Sequence, residues 1–110
     1  MRSAQRQADL ERALELARPV AAAHPEQPDL QYLVGEIAYR ASRWTDCAAA
    51  YLRGGAQGPK DATQRFYMAV CLYESGDRTS AAAIAASGLE KLPRSPFVDA
   101  YLKKLGVGAP

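Results

Sequence analysis

An all-α fold of about six short helices is what this sequence predicts, and three observations carry that expectation. Alanine supplies 22 of the 110 residues while valine and isoleucine together supply 7, so the apolar content suits helices and serves strands poorly. Proline, glycine and capping residues interrupt the apolar runs at regular intervals. The chain also matches itself when shifted by 34 residues, a spacing typical of helix–turn–helix repeats.

The first helix is expected from about Ala4 to Ala23, with Leu10, Leu14, Ala17 and Ala21 at helical spacing and Asp9, Glu11 and Arg12 elsewhere on its surface. Pro25 and Pro28 end it. Pro19 lies inside and removes one backbone donor, so a kink or two abutting helices are expected there. Asp29 opens a second run with Leu30, Val34, Ile37 and Ala38 on one face, ending near Ser42. A third begins at Arg43 or Thr45 and carries Cys47, Ala50 and Tyr51 before Gly54-Gly55 weaken its end; Gly58-Pro59 marks a turn. Asp61 caps a fourth run through Met68, Leu72 and Tyr73 to Gly76-Asp77. The fifth carries Ala81, Ile84, Ala85 and Leu89 and stops before Pro93. Ser95 caps the sixth, Pro96 to about Leu105, with Pro96 at the favoured first position, and Gly106 to Pro110 reads as a frayed tail. Every link is short, as antiparallel helical neighbours require.

Composition narrows the function. A chain of 110 residues fits one domain, large enough to bury a core unaided. Its net charge is +2, and its cations are scattered among acids without forming a stripe, so no nucleic-acid partner is expected. No apolar run approaches the roughly 20 residues of a membrane span, so no membrane insertion is expected. The N-terminus has no apolar leader core, and the expected location is cytoplasmic. Arginine outnumbers lysine 10 to 4 amid much alanine, which suits a GC-rich bacterial source.

Catalysis and cofactors are not expected. Cys47 and Cys71 form no CxxC, and His24 is the single histidine, too few ligands for structural zinc. Both cysteines fall in apolar helical runs, where free cysteine is usually a small buried hydrophobe. They could neighbour each other on antiparallel helices, but a bridge needs α-carbons within about 7 Å and is not the expectation. His24 precedes Pro25 at a helix C-terminus, where an imidazole suits the dipole. No Ser–His–Asp set, phosphate-binding glycine loop or isolated carboxylate pair is present in the sequence.

The 34-residue shift aligns Tyr39 on Tyr73, Thr45 on Thr79, Ala48 on Ala82, Ala49 on Ala83, Gly54 on Gly88 and Pro59 on Pro93. Tyr32 falls on Phe66, Val34 on Met68, Gly35 on Ala69 and Lys60 on Arg94. Two such units, 28–61 and 62–95, resemble the tetratricopeptide repeat (TPR) family. Unit one shows Val34-Gly35, Trp44, Cys47, Tyr51, Gly54 and Pro59 at the family's characteristic sites, and unit two shows Met68-Ala69, Leu72, Ala81, Ala85, Gly88 and Pro93. Two departures stand out: Gln31 and Arg65 hold the family's tryptophan site, and Arg78 replaces the aromatic that Trp44 supplies. Ala13 and Pro25 match Cys47 and Pro59 in spacing, so residues 4–25 resemble the second helix of an incomplete N-terminal repeat. Residues 96–105 read as a C-terminal capping helix and 106–110 as a tail, giving one TPR-like domain of about 2.5 repeats over 1–110.

The resemblance implies a right-handed superhelical solenoid of antiparallel helix pairs, in which small residues such as Gly35, Ala69, Cys47 and Ala81 let backbones approach closely. It also implies a non-catalytic role: a concave groove of first helices binding a protein or peptide partner, as an adaptor or scaffold. Carried over position by position, the groove holds Tyr32, Leu33, Glu36, Tyr39 and Arg40 from unit one. Unit two adds Thr63, Phe66, Tyr67, Val70, Tyr73 and Glu74, and the last helix adds Phe97, Tyr101 and Lys104. The six rings Tyr32, Tyr39, Phe66, Tyr67, Tyr73 and Tyr101 are expected to form one continuous patch, with the Tyr32/Tyr39 and Phe66/Tyr73 pairs side by side. The alternative is a structural role. An N-terminal unit without its first helix leaves an apolar face that self-association, or stacking in a larger TPR parent, would cover.

Overall fold

The computed structural model describes residues 2–107, and among them are six α-helices, one 3-10 turn and no strand. The helices are α1 (Arg2–Ala23), α2 (Pro28–Arg40), α3 (Trp44–Arg53), α4 (Ala62–Glu74), α5 (Arg78–Ser87) and α6 (Pro96–Leu105). The 3-10 turn, Leu89–Lys91, follows α5, so Leu89 lies just beyond the helix that was expected to include it. Of the two outcomes expected at Pro19, two abutting helices do not occur: α1 continues through it as one helix of 22 residues. Pro19 and Glu15 are both exposed, so water can serve the carbonyl that loses its donor.

Caps explain most boundaries. The Asp61 side chain accepts from the Gln64 N–H, the Asp77 side chain from Ser80, and the Ser95 hydroxyl from Val98, each satisfying an otherwise unpaired donor. Helices α2 and α4 end identically one repeat apart. Ser42 N–H donates to Tyr39 O and Arg43 N–H to Ala38 O; Gly76 donates to Tyr73 and Asp77 to Leu72. Both stops place one residue in the left-handed region, Gly76 at φ 99° and Ser42 at φ 58°. The expected frayed tail is corrected at its start: Gly106 adopts φ 73° and Val107 donates to Leu102 O, closing α6 in the same manner. Residues 108–110 of that tail lie outside the described residues.

Consecutive helices run antiparallel. Tyr39 near the end of α2 meets Trp44 at the start of α3, while Tyr32 near the start of α2 reaches Gly54 beyond the end of α3. Arg65 near the start of α4 likewise bonds Ser87 at the end of α5. Alternate helices run parallel: Glu36 and Tyr39 of α2 meet Gln64 and Tyr67 of α4, and Phe66 and Tyr73 of α4 meet Phe97 and Tyr101 of α6. The molecule measures 42 × 38 × 24 Å, and the short dimension is about two helix diameters.

The small residues stand at the crossings. A methyl group on Gly35 would lie 2.6 Å from the buried Tyr51 ring, so α2 and α3 approach as they do only because that position is glycine. Gln31 and Arg65, equivalent under the 34-residue shift, perform one task at equivalent places. The Gln31 amide donates to Ala21 O and His24 O, and the Arg65 guanidinium to Gln57 O and Pro59 O. Each ties its own helix to carbonyls at the end of the preceding unit. Arg65 also bonds Ser87, and in unit one the matching ring hydroxyl of Tyr32 bonds Gly54 O.

The reading of Cys47 and Cys71 as free thiols is corrected. They form a disulfide between α3 and α4, with α-carbons 5.9 Å apart. Antiparallel packing brings the first turn of α3 beside the last turn of α4, within the reach a bridge needs.

Candidate functional site

The residues expected to line a groove do share one side of α2, α4 and α6, but they divide into exposed and core groups. Leu33 and Phe97 are exposed at 48% and 54%, and Arg40, Glu74 and Lys104 are exposed beside them. Glu36, Tyr39, Thr63, Tyr67, Tyr73 and Tyr101 are half-buried. Phe66 and Val70 are corrected from groove to core, at 3% and 0% exposure. The Phe66 ring is closed off by the edges of Phe97 and Tyr101, each 6.2 Å away. Tyr32 is turned toward α3: it stacks on Tyr51 at 5.6 Å, and its hydroxyl donates to Gly54 O at 2.9 Å. It buttresses the hairpin more than it offers a contact surface.

The ring pairing also differs from the expectation. Tyr39 stacks on Tyr67, centroids 4.2 Å apart and planes within 22°, and does not pair with Tyr73. Tyr73 meets Tyr101 edge-on at 6.3 Å. The two contacts are images of each other, since the 34-residue shift carries Tyr39 onto Tyr73 and Tyr67 onto Tyr101. Neighbouring parallel helices are displaced along their axes, which is why each tyrosine meets a residue in the middle of the next helix. Shift arithmetic finds equivalent residues, whereas contact depends on that displacement.

Burial and the neighbouring Tyr67 and Tyr101 hydroxyls push the Tyr39 phenol up to about 12. Tyr51 is raised too, chiefly by burial and then by Glu36. Both rings are therefore neutral over the physiological range. The Tyr101 hydroxyl faces the Glu74 carboxylate at 3.4 Å, and the Lys104 ammonium lies 4.8 Å from its ring centroid, a cation–π distance.

A polar chain crosses beneath this face. Tyr51 donates to the Gln64 Oε1, Gln64 Nε2 donates to Glu36 Oε1 at 2.6 Å, and Arg40 donates to Glu36 Oε2 at 2.8 and 3.1 Å. The Glu36 carboxylate is thus held from both sides. Gln64 was not foreseen in any site role. Its place three residues after Asp61 signals a helix start, and nothing in the sequence reveals that its amide crosses to α2. A cleft of about 740 Å³ opens at the N-terminal ends of α2 and α4, with Leu33, Tyr32, Glu36 and Gln64 on its walls and Pro28 and Pro59 at its rim.

The cysteines cannot act as thiolate nucleophiles while bridged, and His24 sits at the end of α1 beside the Glu26 carboxylate, at 3.6 Å. No group of three or more His, Cys, Asp or Glu side chains among the described residues could hold a metal ion. No helix among them is long and apolar enough to cross a membrane. Comparison of the chain with protein-family models, curated proteins and solved structures returns no match.

Proposed function

We propose that this chain is a non-catalytic protein-interaction module, a TPR-like helical solenoid that holds a partner peptide or helix against α2, α4 and α6 in an adaptor or scaffold role. The observation that carries this reading is the recurrent tyrosine contact, Tyr39 on Tyr67 and Tyr73 on Tyr101, flanked by exposed Leu33 and Phe97. Half-buried rings backed by packed neighbours offer large contact area with little side-chain entropy left to lose, as interface anchors do. Glu36, Arg40, Glu74 and Lys104 border the rings and would set the direction of a bound segment more than its affinity. A peptide library displayed on phage and selected on the folded chain tests this. Leu33→Asp with Phe97→Asp should abolish retention of the selected peptides, and Leu16→Asp on α1 should leave it intact. Peptides indifferent to the double variant would place the binding surface elsewhere.

A second reading has its own observation. On α1, Leu16 is 68% and Val20 51% exposed, an apolar patch on the outer helix. On this reading the repeats stack with a second copy or within a larger TPR parent. Light scattering after size exclusion that shows only monomer across a wide concentration range would remove the self-associating form.

A further inference from the structure

We propose that the Cys47–Cys71 bridge is a permanent tether fixing the angle between the two hairpins, and that the chain therefore reaches its working form in a thiol-oxidising compartment. The bridge joins α3 to α4, the last helix of one hairpin to the first of the next, and does not join the two helices of a single hairpin. Both cysteines are wholly buried.

The repeat register shows what the bridge replaces. The positions equivalent to Cys47 and Cys71 hold Ala13 and Ile37 between α1 and α2, and Ala81 and Leu105 between α5 and α6. At each of the other two junctions the equivalent positions thus hold one small and one branched apolar residue, and the central junction alone is covalent. The other end of α3 is held as well, through the Tyr51–Gln64 hydrogen bond that continues to Glu36. Helix α4 is fixed on α3 at both ends, so the α2/α4 face carrying Tyr39 and Tyr67 takes its geometry from this junction. The proposal does not depend on what binds that face.

The chemistry selects the compartment. One cysteine thiolate attacks the disulfide of a thiol–disulfide oxidoreductase, giving a mixed disulfide and releasing one of the enzyme's thiols. The second thiolate then displaces the other, so two electrons and the two thiol protons leave on the oxidoreductase as a dithiol. Thiol-rich cytosol ordinarily keeps such pairs reduced, whereas exported proteins retain them. With both sulfurs buried, a reductant reaches the bridge only when α3 and α4 part, which suits a lasting structural bond. The proposed compartment differs from the cytoplasmic one expected from the N-terminal residues.

Acid-quenched, alkylated cells of the native host, examined by mass spectrometry without reductant, should show Cys47 and Cys71 bridged; a pair carrying two alkyl groups would overturn the compartment. For the purified chain, reduction should lower the melting temperature by roughly 10 °C or more, given a bridge spanning 24 residues. It should also move the ring resonances of Tyr39 and Tyr67. A melting temperature and ring resonances unmoved by complete reduction would overturn the tether. Cys47→Ala with Cys71→Leu copies the Ala81–Leu105 pair and so keeps the junction packed. That variant should melt near the reduced protein and ignore reductant, and one as stable as the oxidised chain would likewise overturn the tether.

Discussion

The hairpins α2–α3 and α4–α5 stand one repeat apart and close their first helices with the same hydrogen bonds, yet they fill the space between their helices differently. In the first, a fully buried Tyr51 ring lies against Gly35. In the second, the same two positions hold Ala85 and Ala69, and the bulk comes from Met68, Leu72 and Ile84 on either side. Unit one therefore concentrates its packing at one ring and one missing Cβ, whereas unit two spreads it over several aliphatic side chains. The 34-residue register sets where backbones cross, and paired choices at each crossing decide what fits.

The sharpest way to break this comparison is at Tyr51. Tyr51→Ala should cost about 3–5 kcal/mol in urea unfolding, through the cavity and the loss of Gln64's partner. Gly35→Ala should cost about 1–3 kcal/mol by overpacking against the ring, only partly offset by helix propensity. The double variant reproduces the Ala–Ala pair of unit two, so its loss should fall short of the sum by about 0.5–3 kcal/mol. Strict additivity would mean the ring and the glycine are not a pair. Tyr51→Phe isolates the hydroxyl and should cost about 1 kcal/mol.

The helix stops sharpen the comparison at smaller scale. Gly76 has open space around it, so Gly76→Ala tests its φ of 99° alone and should cost about 1–2 kcal/mol. Ser42 occupies the equivalent place at φ 58°, and Ser42→Gly should raise stability by up to about 1 kcal/mol. Paired denaturation midpoints of these variants would show whether the two stops share one conformation.

A further effect is electrostatic and appears only in alkali. The folded pKa of Tyr39 is raised to about 12, so the native state holds a proton that the unfolded chain releases near 10. Its stabilising contribution is complete below pH 10 and is lost as pH rises from there toward 12. Tyr51 acts in the same direction. Stability measured against pH should decline over that window, and Tyr39→Phe should flatten the decline. An unchanged slope in that variant would assign the effect to other groups.

Legibility followed locality. The six helices, the caps at Asp61 and Ser95 and the repeat register were readable because each depends on residues within a few turns of one another. The helix runs on through Pro19 and does not split in two, because what a mid-helix proline does depends on whether solvent can serve the freed carbonyl. The candidate face was readable only in outline. Helical spacing places these residues on one side of α2, α4 and α6, but it does not separate exposed Leu33 and Phe97 from buried Phe66 and Val70. That distinction depends on how far α6 slides along α4.

The sequence by itself determined an all-helical chain whose units repeat every 34 residues, since alanine content, stop signals and self-similarity are properties of one strand of text. Only the tertiary structure decided the Tyr39–Tyr67 stack, the Tyr51–Gln64–Glu36 chain and the Cys47–Cys71 bridge. Each joins different helices, and the axial displacement of one helix against the next is set by side-chain packing across the interface, a quantity no local pattern along the chain encodes.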